Sequence, residues 1–284
     1  MTELPKVFRH PRDMAAAAAQ VRAEGQRIGF VPTMGALHEG HLSLVEHARA
    51  VTDFVVVSIF VNPLQFNQAA DLEHYPRTFM RDVELLNRHQ VDAVYAPEPG
   101  DMYPPGFQTT VSLGQVTATM EGPFRPGHFD GVATVVLKLC NVVQPHLALF
   151  GEKDYQQLKV IERMVTDLDL PVTVEGRPTV REPDGLALSS RNVRLSAPER
   201  EKALCLWRAI SAARGLAAAG ETEVAALKAA GLAQVAAVPE ARLDYLEIFD
   251  AATLEPLTVL DRPARLALAL TLGQTRLIDN DRIN

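Results

Sequence analysis

Two histidines, His38 and His41, lie three residues apart in the segment at positions 31–41, which reads VPTMGALHEGH. A short apolar run leads into this segment, Gly35 and Gly40 lie within it, and amphipathic spacing follows it. The pattern predicts a strand, a turn whose backbone can approach a ligand closely, and then a helix. The start of a helix attracts anions through its unpaired N–H groups and its dipole. Two imidazoles on that first turn could stabilise the charge that develops when a phosphorus centre is attacked.

The spacing alone leaves two other interpretations of this histidine pair open. The letters HEGH are similar to the zinc signature HExxH, but that signature needs histidines four apart within a continuous helix. Here the spacing is three, and Gly40 interrupts the segment. The pair could also be purely structural. The rest of the chain must distinguish among phosphate chemistry, a metal site and a structural pair.

A second pattern of strand, glycine and helix occurs in the letters FGEKDYQQL. Lys153 could neutralise a phosphate as a mobile point charge. Asp154 could receive ribose hydroxyls, or it could simply cap the following helix. Gln157 falls on the same side of that helix as Asp154. Because the same design occurs twice in one predicted sheet, a shared role in nucleotide binding is favoured over coincidence.

Polar residues also follow a strongly apolar strand, in the letters FVNPLQFN and HYPRT. Asn62, Gln65 and Tyr75 are candidates for substrate binding, because such groups suit a ligand that bears a carboxylate and hydroxyls. Taken singly, Asn62 is more simply interpreted as the cap of a turn before Pro63, and Gln65 as an exposed residue.

A third candidate element is LALSSRNVRLS, near the predicted junction between two domains. Ser189, Ser190 and Arg191 supply two hydroxyls and a guanidinium, which is well matched to phosphate oxygens. The signal is weak alone, since SSR occurs in many loops. At a hinge, these residues could bring charge onto phosphates when the domains close.

Composition limits the class of protein. A chain of 284 residues with 47% hydrophobic and 22% charged residues is typical of a folded globular protein of about two domains. The net charge of -7, without a basic tract, argues against a general nucleic-acid or membrane-surface binder. The amino terminus lacks an apolar signal segment, and no apolar run is long enough to span a membrane. Cys140 and Cys205 lie in apolar helical sequence, which predicts reduced core thiols in a cytoplasmic protein.

The elements that must position these residues alternate between strands and helices over about the first 180 residues, as in βαβ units. Strands are predicted at 27–31, 54–61, 93–96, 147–150 and 172–175, and helices at 14–24, 42–51, 78–88, 132–142 and 155–167. The letters VVVSIFV are apolar on both faces, which suits a parallel sheet covered by helices on each side. Ligands bind beyond the carboxyl ends of such strands, so the segments after the first, second and fourth strands should converge.

The remainder of the chain has a different character. Residues 98–131 are rich in proline and glycine, which predicts an irregular excursion that is either a lid or a solvated connection. Helices are predicted at 200–218 and 223–235, and strands at 244–249, 265–272 and 275–278. We therefore expect an α/β protein: a Rossmann-like, doubly wound parallel sheet at 1–182, and a smaller α+β domain at 183–284 that closes over the site.

Taken together, PTMGALHEGH, SIFVNPLQF, YPRT, FGEKDYQQL and DGLALSSRN resemble the pantothenate synthetase (pantoate-β-alanine ligase) family of the nucleotidylyltransferase superfamily. The match runs in order from about residue 27 to 194, and the ending RLIDN is also similar to the family. The resemblance implies ATP-dependent condensation of pantoate with β-alanine to pantothenate, through an enzyme-bound pantoyl adenylate, with release of AMP and pyrophosphate. It also implies Mg²⁺ with ATP and a cytoplasmic homodimer.

The resemblance further implies roles for particular residues. His41 would be the proton donor with His38 beside it, Lys153 and Arg191 would complete the catalytic set, and Gln65 and Gln157 would hold pantoate, with Gln65 also near β-alanine. The residues implied to bind ATP are Met34, Gly35, Ala36, Leu37, His38, Glu39, Gly40, His41, Gly151, Glu152, Lys153, Asp154, Val180, Leu188, Ser189, Ser190 and Arg191. Some relatives have methionine where Leu188 stands, and we expect little consequence because the two side chains are similar in volume.

Two rival functions remain at this stage. One is another nucleotidyltransferase of the same architecture, which would join a nucleotide to a phosphorylated substrate. The other is a nucleotide-binding protein without enzymatic activity. Isotope exchange that depends on substrate would separate these from the ligase.

Overall fold

The computed structural model describes residues 4–67 and 69–284, and the side chains of Ala69 and Ala70 lie outside this description. The chain divides into two units. The first comprises Met1–Gly114, Arg125–Glu152 and Gln157–Arg177, and the second comprises Gln115–Phe124, Lys153–Gln156 and Pro178–Asn284. The predicted boundary at residue 182, and the predicted closing of the second domain over the site, stay predictions.

The first unit is built on a parallel sheet. Its strands are β1 (Lys6–Phe8), β2 (Ile28–Thr33), β3 (Phe54–Ile59), β4 (Ala93–Tyr95), β5 (Leu147–Gly151) and β6 (Thr173–Arg177), in the spatial order β1-β4-β3-β2-β5-β6. Every pairing in this sheet is parallel. Three consecutive residues of β3, Val55, Val56 and Val57, are fully buried. Since successive side chains point to opposite faces, helices must cover the sheet on both sides.

The helices are α1 (Pro11–Ala23), α2 (Glu39–Val51), α3 (Ala69–Glu73), α4 (Phe79–Arg88), α5 (Pro99–Met102), α6 (Glu121–Phe124), α7 (His128–Val143), α8 (Tyr155–Asp167), α9 (Ala197–Lys202), α10 (Cys205–Ala218) and α11 (Val224–Ala236). Leu44 and Val45 of α2 and Leu86 of α4 form one core with side chains of β2, β3 and β5. Helices α1 and α7 pack against each other and against β2. This arrangement places the starts of α2 and α8 after the carboxyl ends of neighbouring strands.

The second unit contains an antiparallel sheet in the order β7 (Arg242–Asp250), β8 (Ala264–Leu272) and β9 (Thr275–Arg282). Leu206 and Ile210 of α10, Leu227 of α11, and Leu266 and Leu268 of β8 share its core. The predicted α+β character of this region is confirmed.

The predicted order of strands and helices is confirmed in both units, and the differences have physical reasons. Strand β1 was missed because it has three residues, at the edge of the sheet. Helix α2 begins at Glu39 rather than 42 because His38 caps it, and β9 continues to Arg282 although its last residues are polar. Residues 98–131 hold short helical turns and the start of α7. Within the described part of the chain, no helix has both the length and the apolar character needed to cross a membrane.

Candidate active site

The turn between β2 and α2 brings the two predicted histidines together. Gly35 takes a left-handed φ of 81°, as the predicted close turn requires. His38 is the N-cap of α2, and its Nδ1 accepts a hydrogen bond from the backbone N–H of Gly40 at 3.2 Å. The Nδ1 atom of His41 faces the backbone N–H of His38 at 3.4 Å, and the two rings lie 4.1 Å apart between centroids. The pair therefore forms a reciprocal cap of the helix.

This cap determines which ring nitrogen carries the proton. A neutral imidazole that accepts at Nδ1 carries its hydrogen at Nε2, so His38 and His41 each present an Nε2–H donor. Both donors belong to the first turn of α2, where backbone N–H groups and the helix dipole also attract anions. His38 lies just before α2 as its N-cap and His41 lies in the first turn, whereas the zinc signature needs both histidines inside a continuous helix, four residues apart. The geometry favours phosphate chemistry.

Asp82 supports the same turn from helix α4. Its carboxylate accepts hydrogen bonds from the backbone N–H of Ala36 at 2.9 Å and of Leu37 at 3.0 Å. The hydroxyl of Thr78 donates to the same carboxylate at 3.1 Å. Asp82 is fully buried. The sequence analysis did not single out this residue.

Gln65 is held from several sides. Its amide Nε2 lies 3.0 Å from the sulfur of Met34, and its Oε1 accepts from Nδ2 of Asn62 at 3.1 Å. Its backbone carbonyl lies 2.9 Å from Nδ1 of His128 and accepts from Arg125 at 3.3 Å. The simpler interpretation of Gln65 as an exposed residue is wrong, because only 9% of it is exposed.

Asn62 is a positioning residue. Its Nδ2 donates to Gln65 and, at 3.0 Å, to the carbonyl of Gly131, while its Oδ1 accepts from the N–H of Leu64 and from the hydroxyl of Tyr103 at 2.7 Å. These four bonds use both hydrogens and both lone pairs of the amide. The capping interpretation is confirmed, and the role of Asn62 as a substrate contact stays a prediction.

Tyr75 is buried and packs edge-on against Phe66, with 5.7 Å between the ring centroids. Gln157 lies on the first turns of α8 and is half-buried. Both residues belong to the first unit, as do Gln65 and the turn that carries His38 and His41. Their roles as substrate contacts stay predictions.

Lys153 belongs to the second unit, and β9 holds its backbone. The carbonyl of Lys153 accepts from Nδ2 of Asn280 at 2.7 Å, and Oδ1 of Asn280 accepts from Arg265 at 3.0 Å. The ammonium of Lys153 lies 4.0 Å from the carboxylate of Asp154, which is about half exposed. A single turn of 3₁₀ helix over Glu152–Asp154 leads directly into α8. Hydrogen bonds from the end of the chain thus fix the segment that supplies the predicted lysine.

Asp279 lies beside Asn280 and forms a buried ion pair. Arg181 reaches it in bidentate geometry, at 2.7 and 2.9 Å. Burial raises the pKa of the Asp279 carboxyl, against the opposing effects of Arg181 and Lys153. Asp279 on β9 thus forms hydrogen bonds with Arg181 and interacts electrostatically with Lys153.

The predicted ATP residues near the junction also group together within the second unit. The backbone N–H of Leu188 donates to the carbonyl of Val180 at 3.0 Å. The hydroxyl of Ser189 accepts from the N–H of Arg191 at 3.2 Å, and a short 3₁₀ turn, Asn192–Arg194, follows. Thr179, next to Val180, has a buried hydroxyl oxygen with no hydrogen-bond partner among the described residues. These backbone contacts form a loop that presents Ser189, Ser190 and Arg191.

Comparison with known proteins decides the family. The profile of pantoate-β-alanine ligases matches residues 6–282. The chain is 48% identical over 280 residues to the pantothenate synthetase of Aquifex aeolicus (strain VF5), covering 99% of each chain. It is 53% identical over 277 residues to that of Cereibacter sphaeroides (strain ATCC 17029 / ATH 2.4.9), covering 98% of this chain and 99% of the relative.

The chain belongs to the pantoate-β-alanine ligase family.

Solved structures of this ligase family share the fold. The pantothenate synthetase of Thermus thermophilus superposes with a TM-score of 0.93 at 50% identity, covering 98% of this chain and 99% of that chain. The ligase of Francisella tularensis superposes with a TM-score of 0.80 at 33% identity, covering 98% of each chain. The structure of the Francisella ligase is a complex with beta-gamma ATP and beta-alanine. The family and the Rossmann-like fold expected from the sequence motifs are therefore confirmed.

The residues that the sequence analysis missed in this ligase share one property. Asp82 is 45 positions from Leu37 in the sequence, and Asn280 is 127 positions from Lys153. Neither residue lies in a glycine turn or beside a histidine. The available signal at α4 was an acidic residue on the side of the helix that also carries Val83 and Leu86. At β9 there was little signal, because Asp279 and Asn280 are two of several polar residues in TRLIDNDR.

Proposed function

We propose that this protein catalyses the ATP-dependent ligation of pantoate and β-alanine to pantothenate through a pantoyl adenylate, with release of AMP and pyrophosphate. The observation that carries the proposal is the reciprocal cap of α2, which fixes two imidazoles, each with its hydrogen at Nε2, beside a helix N-terminus. Membership of the pantoate-β-alanine ligase family supplies the substrates.

In the first step, a carboxylate oxygen of pantoate attacks the α-phosphorus of ATP. An acyl oxygen to phosphorus bond forms, the bond from phosphorus to the bridging oxygen breaks, and pyrophosphate leaves with the electron pair. Catalysis of this kind depends on orientation and on stabilising phosphate charge. His41 is the donor to the reacting phosphate, with His38 beside it, and Lys153 and Arg191 neutralise the remaining phosphate charge.

Backbone groups of the two glycine turns contribute further donors. The proposed ATP-binding residues of the first unit are Met34, Gly35, Ala36, Leu37, Glu39, Gly40, Gly151 and Glu152, together with the two histidines. Those of the second unit are Lys153, Asp154, Val180, Leu188, Ser189, Ser190 and Arg191. Hydrogen bonds to the backbone support the proposal: Asp82 accepts from the N–H of Ala36, the N–H of Leu188 donates to Val180, and the Ser189 hydroxyl accepts from the N–H of Arg191.

In the second step, the neutral amine of β-alanine attacks the activated acyl carbon. The new carbon to nitrogen bond forms, the bond from the acyl carbon to the phosphate oxygen breaks, AMP leaves with the electron pair, and the nitrogen loses a proton to give the amide. Because a free primary amine is mostly protonated near neutral pH, a proton leaves the ammonium before attack. Gln65 orients pantoate and lies near β-alanine in this scheme, and Gln157 and Tyr75 are the further pantoate contacts. Fixing the Gln65 amide through Asn62 supports such an orienting role.

ATP enters this proposal together with Mg²⁺. Across residues 4–67 and 69–284, no three His, Cys, Asp or Glu side chains gather in a group that could hold a metal ion. We propose that the ion is held mainly by ATP phosphates and water, and no step above depends on a protein ligand to it. We also propose that the protein is a homodimer, on the basis of its family. We further propose that it acts in the cytoplasm, which fits the two buried, unpaired cysteines Cys140 and Cys205.

The decisive experiment is exchange of labelled pyrophosphate into ATP, with pantoate present and β-alanine absent. We expect exchange that requires pantoate, because only a reversible adenylation returns label to ATP without the amine. A control without pantoate must stay silent. Exchange with other phosphorylated acceptors but not with pantoate would favour the rival nucleotidyltransferase. Tight ATP binding without exchange, and without AMP formation after β-alanine is added, would favour a nucleotide-binding protein.

A further inference from the structure

The turn that carries the histidines adopts an unfavourable backbone conformation. Gly35 and Ala36 follow one another with φ values of 81° and 51°, both in the left-handed region. Glycine adopts that region freely, but for alanine it is unfavourable because Cβ lies too close to the following carbonyl oxygen. Such conformations persist only where surrounding contacts determine them. The contacts of Ala36 therefore show what holds His38 in place.

The carboxylate of Asp82 makes those contacts. Its two oxygens accept the consecutive backbone N–H groups of Ala36 and Leu37, at 2.9 and 3.0 Å, and each oxygen also lies 3.1 Å from the hydroxyl of Thr78. A carboxylate can bind two adjacent N–H groups at once because it is acceptor-only and bidentate. The residue directly after Leu37 is the N-cap His38.

Burial gives this arrangement its significance. Asp82 is fully buried, and a buried charge is unfavourable unless hydrogen bonds satisfy it. An apolar residue at this position of α4 would be the simpler choice for stability. Two of the three donors to Asp82 are backbone N–H groups of the turn, and the third is the Thr78 hydroxyl. The need to hold the turn therefore explains why a buried position of α4 carries a carboxylate.

We propose that Asp82 is a positioning residue for adenylation: it holds the left-handed turn at Gly35 and Ala36, so that His38 and His41 present their Nε2–H groups in one fixed place. This inference rests on the proposed function. Asp82 itself contacts no reacting atom in this scheme. It acts through the backbone of residues 36 and 37.

The test compares Asp82→Asn with Asp92→Asn. Asp92 is a matched control, because its carboxylate also accepts a backbone N–H, that of Val55 at 2.7 Å, but at the opposite end of the sheet. In Asp82→Asn one oxygen is replaced by an NH₂ group, which faces an N–H donor of the turn. Thr78→Val removes only the third donor and should have a smaller effect.

Two readouts separate positioning from stability. The first is hydrogen exchange of the backbone amides in the protein without substrates. We expect the amides of Ala36 and Leu37 to exchange faster in Asp82→Asn, and to be unchanged in Asp92→Asn. The second is the rate of each half-reaction, measured without denaturant at a temperature at which both variants are fully folded.

We expect Asp82→Asn to slow pantoate-dependent pyrophosphate exchange by about 100-fold, as a misplacement near 1 Å can do. The second half-reaction, started from added pantoyl adenylate and β-alanine, should change by less than about threefold. In that step the amine attacks the acyl carbon and not the α-phosphorus, so the rate depends less on donors to the phosphoryl group. Asp92→Asn should leave both rates near those of the wild type.

The outcomes distinguish the two proposals. Wild-type exchange together with undiminished exchange in folded Asp82→Asn would overturn the positioning role and leave the proposed function intact. Equal slowing of both half-reactions would also overturn it, because a general structural defect would then be the cause. Wild-type protein that shows no exchange would overturn the proposed function, and the positioning role with it.

Discussion

The two ends of the parallel sheet use the same hydrogen bond for different purposes. At the amino end, residues just before three strands accept backbone N–H groups of neighbouring strands. Asp53 accepts from Arg27 at 2.8 Å, Asp92 accepts from Val55, and Nδ1 of His146 accepts from Ile28 at 2.9 Å. At the carboxyl end, Asp82 and His38 also accept backbone N–H groups, but those groups belong to a turn and to the first turn of a helix.

The two ends differ in which part of the structure these hydrogen bonds hold. At the amino end the bonds join strand starts, and the second nitrogen of His146 lies 3.3 Å from the guanidinium of Arg22. At the carboxyl end the bonds hold a left-handed turn and fix two imidazoles through their Nδ1 atoms at the start of α2, so that each carries its hydrogen at Nε2. Residue type alone therefore does not assign function. The position at the carboxyl ends of the strands does, as in other doubly wound sheets.

The largest test of this comparison replaces one histidine at each end. His41→Ala should lower the single-turnover rate of adenylate formation by about 100-fold to 1,000-fold, as loss of one transition-state donor does. ATP affinity should change much less, because the interaction strengthens only as charge develops. His146→Ala should lower the free energy of unfolding and leave the adenylation rate unchanged.

Rapid-quench measurement of pantoyl adenylate checks both variants, and equilibrium titration with ATP separates binding from chemistry. An unchanged single-turnover rate in His41→Ala would contradict the role of that residue. A slowed rate in folded His146→Ala would break the distinction between the two ends of the sheet.

A smaller effect is expected at Asn62, which lies at the ligand end but behaves like the amino-end residues. Asn62→Ala leaves the amide of Gln65, the hydroxyl of Tyr103 and the carbonyl of Gly131 without their partner. Burial raises the pKa of the Tyr103 hydroxyl, so it stays a donor at neutral pH. We expect the KM for pantoate to rise by about tenfold, which corresponds to loss of about one hydrogen bond in orienting Gln65.

Steady-state kinetics with pantoate as the varied substrate measures this effect. The KM for ATP should stay close to the wild-type value, because the hydrogen bonds of the Asn62 side chain go to Gln65, Tyr103 and backbone groups outside the proposed ATP residues. A KM for pantoate equal to that of the wild type would contradict the positioning role of Asn62.

Sequence reasoning found what local physics determines. A left-handed glycine, a histidine cap and the start of a helix involve residues within one turn of each other, so the letters PTMGALHEGH were enough to predict the turn after β2 and the paired histidines. The order of strand, turn and helix before α8 was predicted on the same basis, although Gly151 ends β5 and the turn itself is Glu152–Asp154.

The acceptors that hold these turns could not be found in the same way. Asp82 looks like one acidic residue among the polar positions of α4, and only tertiary structure brings its carboxylate to Ala36 and Leu37. Asn280 lies near the end of the chain, where polar letters resemble an exposed strand, yet it is buried and holds Lys153. Which distant side chain accepts a given backbone N–H depends on how whole helices and strands pack and align. A single sequence does not show that alignment.

The smallest predicted effect is a pH dependence of stability that comes from His146. Burial, together with the nearby charges of Arg22 and Arg27, lowers the pKa of His146 below its ordinary value of 6.5. Between the folded and the unfolded pKa, the unfolded chain then binds more protons than the folded one. The stabilising contribution of neutral His146 is therefore complete above about pH 6.5 and is lost as the pH falls through the folded pKa.

Urea unfolding of the wild type and of His146→Gln, at several pH values from about 7.5 down to about 5, measures this contribution. The free energy of unfolding should decline more steeply with falling pH in the wild type than in His146→Gln. Protonation at Nδ1 removes the acceptor for the Ile28 N–H, and it places a third positive charge beside Arg22 and Arg27. Parallel pH profiles for the two proteins would contradict this assignment. Protonation of His146 would then not be linked to folding, and the contribution of this residue would be limited to the hydrogen bond that its neutral ring accepts from Ile28.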